Sequence, residues 1–173
     1  MTKRHTRQEY SQRADLAGEH RIGDIGQMTF ALVFSITWGV DTFFLEKTTW
    51  LNQWVPLWVR IPLGVLSLVL AGYLARTGLS IVFGEVRERP GVIRKSVFGL
   101  MRHPIYTGEL LLYLGLLFLS LSAAAAAIGL MIVVFLYLIS RYEEKLLLQK
   151  YGDDYRRYMQ EVPMWLPRLR GRK

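Results

Sequence analysis

Four apolar stretches alternate with charged segments along this chain, running from about Met28 to Leu45, Pro56 to Ala75, Ile105 to Leu121 and Ala123 to Ile139. Each is about 17–20 residues, and as helix at about 1.5 Å per residue each covers most or all of a hydrocarbon core roughly 30 Å thick. A helix satisfies its own backbone in lipid, where an open strand cannot. The pattern therefore predicts an all-α integral membrane protein with about four transmembrane helices. The first stretch follows a long charged segment without a small-residue cleavage site, so it is expected to be a retained span. The segment Leu79 to Phe83 is apolar but too short to cross alone, and is expected to lie at the interface or re-enter.

Between the third and fourth stretches stand only Ser120-Leu121-Ser122, which predicts a tight C-terminal helical hairpin. The run Ala123 to Ala127 and Gly129 would let two backbones approach closely in lipid. Beyond the hairpin, Leu146-Leu147-Leu148 and Tyr151, Tyr155 and Tyr158 read as an amphipathic cytoplasmic tail helix interrupted at Gly152. Trp165 then sits between Pro163 and Pro167, in a rigid stretch suited to cover a pocket or anchor at the membrane surface.

Charge gives these elements an orientation. The 173 residues are 51% hydrophobic and 13% aromatic, yet carry a net charge of +8. With four spans, residues 1–27, the loop near 76–103 and the tail from 141 share one side. They hold 5, 6 and 9 of the Lys and Arg residues, 20 of 22, leaving only Lys47 and Arg60 elsewhere. The positive-inside rule places that side in the cytoplasm. Basic loops beside spans suit anionic lipid headgroups, and no basic helix interleaved with aromatics points to nucleic acid. The absence of cysteine excludes a thiolate metal site, a disulfide and a cysteine nucleophile. Only His5, His20 and His103 offer imidazole, so no metal site is expected. Asp41 and Arg60, near the non-cytoplasmic ends of the first two spans, are expected to neutralise one another.

The candidate chemistry gathers at the cytoplasmic boundary. Pro104 suits the first position of the third helix, which puts His103 at its N-cap. An anionic group would suit that helix end beside Arg102. Tyr106 shares a helix face with His103, and Gly108 would leave the first turn open to a ligand. Glu109, one turn inside, needs a partner, with Arg102 or Arg141 nearest in depth. The hairpin returns Arg141, Glu143 and Glu144 to the depth of Arg102.

S-adenosylmethionine matches these residue types. Its carboxylate suits Arg102 and His103, its diol or ammonium Glu143 or Glu144, and its sulfonium and adenine the aromatic faces. Composition alone does not choose it over a nicotinamide cofactor, although no Gly-rich dinucleotide motif follows a strand.

The sequence resembles the isoprenylcysteine carboxyl methyltransferase family of integral membrane methyltransferases, and the related phospholipid N-methyltransferases over the same region. The matching parts are Arg102-His103-Pro104-x-Tyr106-x-Gly108, Glu143-Glu144-Lys145-Leu146, Tyr151-Gly152-x-x-Tyr155-x-x-Tyr158 and Val162-Pro163-x-x-x-Pro167. Many members carry a Gly-Pro-Tyr-Arg-Tyr-like stretch where this chain has Ser96 to Met101. Length, hydropathy and charge suggest one membrane domain over 1–173, with a cytoplasmic segment at 1–27 and two spans within 28–75, and the resemblance implies a catalytic region over 85–170. It implies an S-adenosylmethionine pocket lined by Arg102, His103, Tyr106, Gly108, Glu143 and Tyr155. It also implies an acceptor that is lipophilic or lipid-linked. Arg141 would orient a carboxylate acceptor. Glu144 or Glu109 would take the proton from an amine, thiol or hydroxyl. A membrane reductase using a nicotinamide cofactor and a non-enzymatic accessory protein are the other readings.

Overall fold

A computed structural model describes residues 21–84 and 91–167. The expectation of a cytoplasmic segment at 1–27 falls mostly outside these residues. Four α-helices dominate: α1 (Arg21–Val40), α2 (Leu57–Phe83), α3 (Pro104–Ser120) and α4 (Ala123–Glu161). Among the described residues, three helical spans are long and apolar enough to cross a bilayer, Gly23–Leu45, Leu57–Phe83 and Ala123–Glu161. Helix α3 is apolar but shorter, at 17 residues.

Helix α1 continues as a π-helical turn over Asp41–Leu45 and stops at Glu46, whose left-handed conformation ends the helix. Helix α2 extends to Phe83. The segment 79–83 is therefore the last turn of α2 and does not re-enter. Nothing between Ala75 and Phe83 breaks the helix, and Gly78 and Ile81 are buried on the same side as the preceding turns.

The buried positions of α2 are Arg60, Gly64, Ser67, Ala71, Leu74, Gly78 and Ile81, at alternating spacings of four and three. That period is the seam of a left-handed helix pair. Three small members, Gly64, Ala71 and Gly78, let α3 approach to backbone distance. A Cβ on Gly108 would lie 3.1 Å from the Ala71 carbonyl oxygen, and one on Gly115 would lie 3.1 Å from that of Gly64. The most extensive helix contact in the fold is α2 against α3. The alanine run at the start of α4 plays a lesser part, with Ala125 buried and Ala123 and Ala127 exposed.

Helix α1 packs on α4, and one core unites α1, α3 and α4 through Phe34, Tyr113, Ala125, Ile132 and Leu136. The Trp38 indole N–H donates to the Leu116 carbonyl at 2.9 Å, tying α1 to α3. The hairpin between α3 and α4 is as tight as its sequence predicts. Leu121 caps α3 in the left-handed region, and the Ser122 hydroxyl accepts from the Ala125 amide at 3.1 Å as the N-cap of α4.

Asp41 and Arg60 form no ion pair. The Asp41 carboxylate accepts from the Ser122 hydroxyl at 2.6 Å, the Thr48 amide at 3.1 Å and the Thr48 hydroxyl. Arg60 donates to the Asn52 side chain and, at 3.3 Å, to the Leu119 carbonyl at the C-terminal end of α3. Hydroxyls on the neighbouring loop and a helix end with unpaired carbonyls were closer partners for each charge than the other charge.

Candidate active site

Arg102 and His103 end the segment that leads into α3, and Glu143 and Glu144 lie just beyond the apolar part of α4. The sharp turn at Leu121–Ser122 brings the two pairs together from 41 residues apart. The Arg102 guanidinium donates through Nε to Glu144 Oε1 at 2.7 Å. His103 lies between two carboxylates, with Nε2 3.3 Å from Glu144 Oε1 and Nδ1 3.5 Å from Glu143 Oε2. The Tyr106 hydroxyl donates to Glu143 Oε1, and its ring lies parallel to the His103 imidazole at 5.6 Å between centroids. Five of the predicted residues, Arg102, His103, Tyr106, Glu143 and Glu144, thus form one network.

Glu144 is its centre. Its side chain is 2% exposed. Burial alone would raise its pKa, but hydrogen bonds from His103 and Arg102 outweigh that and hold the carboxyl below its ordinary range. One oxygen of this ionised group is left over. Glu144 Oε2 is buried and accepts no hydrogen bond, with the Arg141 guanidinium 3.8 Å away. A buried carboxylate oxygen without a donor is costly, and a ligand N–H or O–H at hydrogen-bond distance would offset that cost. Arg141 itself is 52% exposed and stands at the rim.

Gly108, Tyr155 and Glu109 occupy other places, and Arg102 has further partners. Gly108 is not open to a ligand, because it faces the Ala71 to Ala75 backbone of α2. Its missing side chain serves helix packing. Arg102 is also committed elsewhere, since its Nη1 donates to the Met159 carbonyl at 3.0 Å and to the Val162 carbonyl. It closes the C-terminal end of α4, where such carbonyls lack partners. Tyr155 is buried behind the network, packed with Tyr158 and Val162 in the core of the tail. Glu109 bonds neither Arg102 nor Arg141; it accepts from the Tyr113 hydroxyl one turn further along, at 2.8 Å.

The tail folds back over this region. Gly152, with φ of 53°, breaks α4 as its sequence predicts. The chain then returns so that the Arg102 amide donates to the Pro163 carbonyl at 2.9 Å and the His103 amide to Met164 at 3.0 Å. Trp165 donates from its indole to the Ser140 hydroxyl at 3.3 Å, and its carbonyl accepts from Thr107 at 3.4 Å. The segment before α3 is clamped to the same tail. Arg94 pairs with Asp154 at 2.9 Å and Glu161 at 3.2 Å, and Tyr158 donates to the Phe98 carbonyl at 2.6 Å. The Ser96–Gly99 stretch is a short 3-10 turn, with Val97 and Met101 buried against α2. Arg94, Thr107 and Ser140 went unread in the sequence, because single Arg, Thr and Ser residues at helix boundaries carry no spacing signal.

No curated protein matches the chain. Residues 49–154, more than half of it, match the family model described as phospholipid methyltransferase. The matched span contains α2, α3, the hairpin and the Glu143–Glu144 pair. The chain belongs to the phospholipid methyltransferase family, which makes it a membrane methyltransferase of lipid-related acceptors.

Proposed function

We propose that the chain transfers a methyl group from S-adenosylmethionine to an acceptor dissolved in or tethered to the membrane, at the boundary where α3 begins and the apolar part of α4 ends. The observation that carries this reading is the donor-less oxygen of buried, ionised Glu144. The surrounding donor set fits the cofactor. Glu144 Oε2 suits an ammonium and Glu143 a ribose diol, while the parallel His103 and Tyr106 rings and the Trp165 indole offer faces for a sulfonium and an adenine. When bound, S-adenosylmethionine supplies a methyl group activated by a neighbouring positive charge.

The protein's own part is to position and to exclude water. Arg102 and His103 hold the Glu144 carboxylate in place, and His103 and Tyr106 hold Glu143. The tail from Val162 to Trp165 covers the start of α3, so water is kept from that side. Arg141, exposed at the rim, is placed to meet an anionic part of the acceptor, such as a carboxylate or phosphate. The distribution of 20 of 22 basic residues supports a cytoplasmic site with the termini on the same side. The polar cofactor would then arrive from water and the acceptor from the bilayer.

Calorimetry of the purified full-length chain with S-adenosylhomocysteine tests the proposal. The wild type binds, and Glu144→Gln weakens binding about tenfold or more, on the scale of one charge-assisted hydrogen bond. Glu143→Gln, which leaves Arg102 paired, weakens binding without lowering the unfolding temperature. No heat with the wild type sinks the reading.

A further inference from the structure

Among the described residues, four buried side-chain polar atoms have no hydrogen-bond partner. One is Glu144 Oε2. The other three, Thr42 Oγ1, Arg60 Nε and Ser120 Oγ, lie at the opposite end of the helices, just after α1, at the start of α2 and at the end of α3.

Arg60 is the charged member of this group, and it is 6% exposed. A buried cation is costly unless an anion faces it. Both partners of Arg60 are neutral: the Asn52 side-chain oxygen and, at 3.3 Å, the Leu119 carbonyl. Asp41, the buried carboxylate at the same end, is held instead by Thr48 and Ser122.

The surroundings favour an anion. Helical side chains lean toward the N-terminus of their helix, which brings the guanidinium beside the first turn of α2. That turn starts after Pro56 without a side-chain cap and carries the positive end of the helix dipole. Ser120, next in the chain to Leu119, has a buried hydroxyl with no acceptor. Trp54 and Trp58, on either side of Pro56, are largely exposed, as rings at the level of lipid headgroups are.

We infer that Arg60 binds a phosphate group, supplied by a phospholipid of the leaflet at this end of the helices. The lipid is a structural one. It lies at the far end of the fold from Glu144, and its site does not depend on the methyltransferase reading. Asn52, partly exposed on the turn Trp50–Gln53, now holds the guanidinium through a neutral amide oxygen. A phosphate oxygen makes a stronger, charge-assisted bond in its place, and the planar guanidinium presents paired N–H groups to it. Because Arg60 also bonds the Leu119 carbonyl, the bound lipid fastens the start of α2 to the end of α3.

Thermal unfolding of the purified full-length chain in detergent tests the inference, with short-chain phosphatidylglycerol, the matching diacylglycerol or inorganic phosphate added. At saturation, phosphatidylglycerol raises the wild-type unfolding temperature by about 5 °C more than diacylglycerol does, and inorganic phosphate gives little of that rise. Arg60→Met loses most of the increment, and Arg60→Lys, which keeps the charge without the planar fork, retains part of it. Equal increments in wild type and Arg60→Met overturn the inference, as does an equal rise with diacylglycerol, which lacks the phosphate. A full rise with inorganic phosphate assigns the site to a free anion and overturns the lipid as its source. Should Arg60→Met fail to fold, Asn52→Ala decides, since it removes the neutral competitor and leaves the charge. An increment larger than the wild type's then supports the site, and one no larger overturns it.

Discussion

Gly108 shows how one residue can be correctly noticed and wrongly explained. Its place three residues after the His103–Pro104–Ile105 turn invites a ligand, since glycine leaves backbone uncovered. The ligand is another helix. A side chain there would press on the Ala71 carbonyl at 3.1 Å and the Ala75 amide at 3.2 Å, both rigid backbone. Gly108→Val should therefore lower the unfolding temperature of the detergent-solubilised protein, at an overpacking cost of about 1–3 kcal/mol. If Gly108 contacted the cofactor directly, the same variant would keep wild-type stability and lose S-adenosylhomocysteine binding. Glu144 is the converse case. Its adjacency to Glu143 was legible in sequence, but the leftover oxygen that gives it a role depends on where Arg102, His103 and Arg141 end up.

At the scale of elements, the α3–α4 hairpin was readable because a two-residue connection leaves few geometries. What holds it was not. Thr48, from the distant α1–α2 connection, accepts the Ala123 amide at 3.0 Å with its carbonyl and the Ala124 amide at 3.0 Å with its hydroxyl. Asp41 binds Ser122 and Thr48 together at the N-terminal end of α4, where a negative charge is favoured. Ser122→Ala removes both the cap and a donor to Asp41, and should cost about 0.5–2 kcal/mol of stability, read as a lower unfolding temperature. S-adenosylhomocysteine affinity of the surviving folded fraction should be unchanged, because the clamp lies at the opposite end of the hairpin from Glu144. The heptad seam of α2 was also present in the sequence. It escaped notice because each glycine or alanine in it is unremarkable until the partner Gly108 and Gly115 are aligned against it.

The whole molecule is organised as two close pairs, α1 with α4 and α2 with α3, joined along α3 and α4. The loop before α3 and the tail after Gly152 meet on one face, through Arg94, Tyr158 and the Arg102 backbone. If that face is cytoplasmic, as the basic residues indicate, a cysteine at Gln149 and one at Lys47 must lie on opposite sides of the membrane. The chain has no cysteine of its own, so each can be introduced singly. A membrane-impermeant thiol reagent applied to intact cells should label Lys47→Cys and leave Gln149→Cys unlabelled until the membrane is opened. The reverse pattern would invert the orientation, and labelling of both before opening would break the topology.

The sequence by itself determined the helical membrane class, the hairpin, the break at Gly152 and the residues that form the polar network. These depend on local rules: apolar length sets a span, a two-residue connection sets a hairpin, and glycine permits a left-handed break. The tertiary structure decided the assignment of partners. Arg102 could have met a ligand or a carbonyl, and Asp41 could have met Arg60 or a hydroxyl. Such choices depend on which donors the packing of other helices brings within about 3 Å, and no spacing along the chain records that distance.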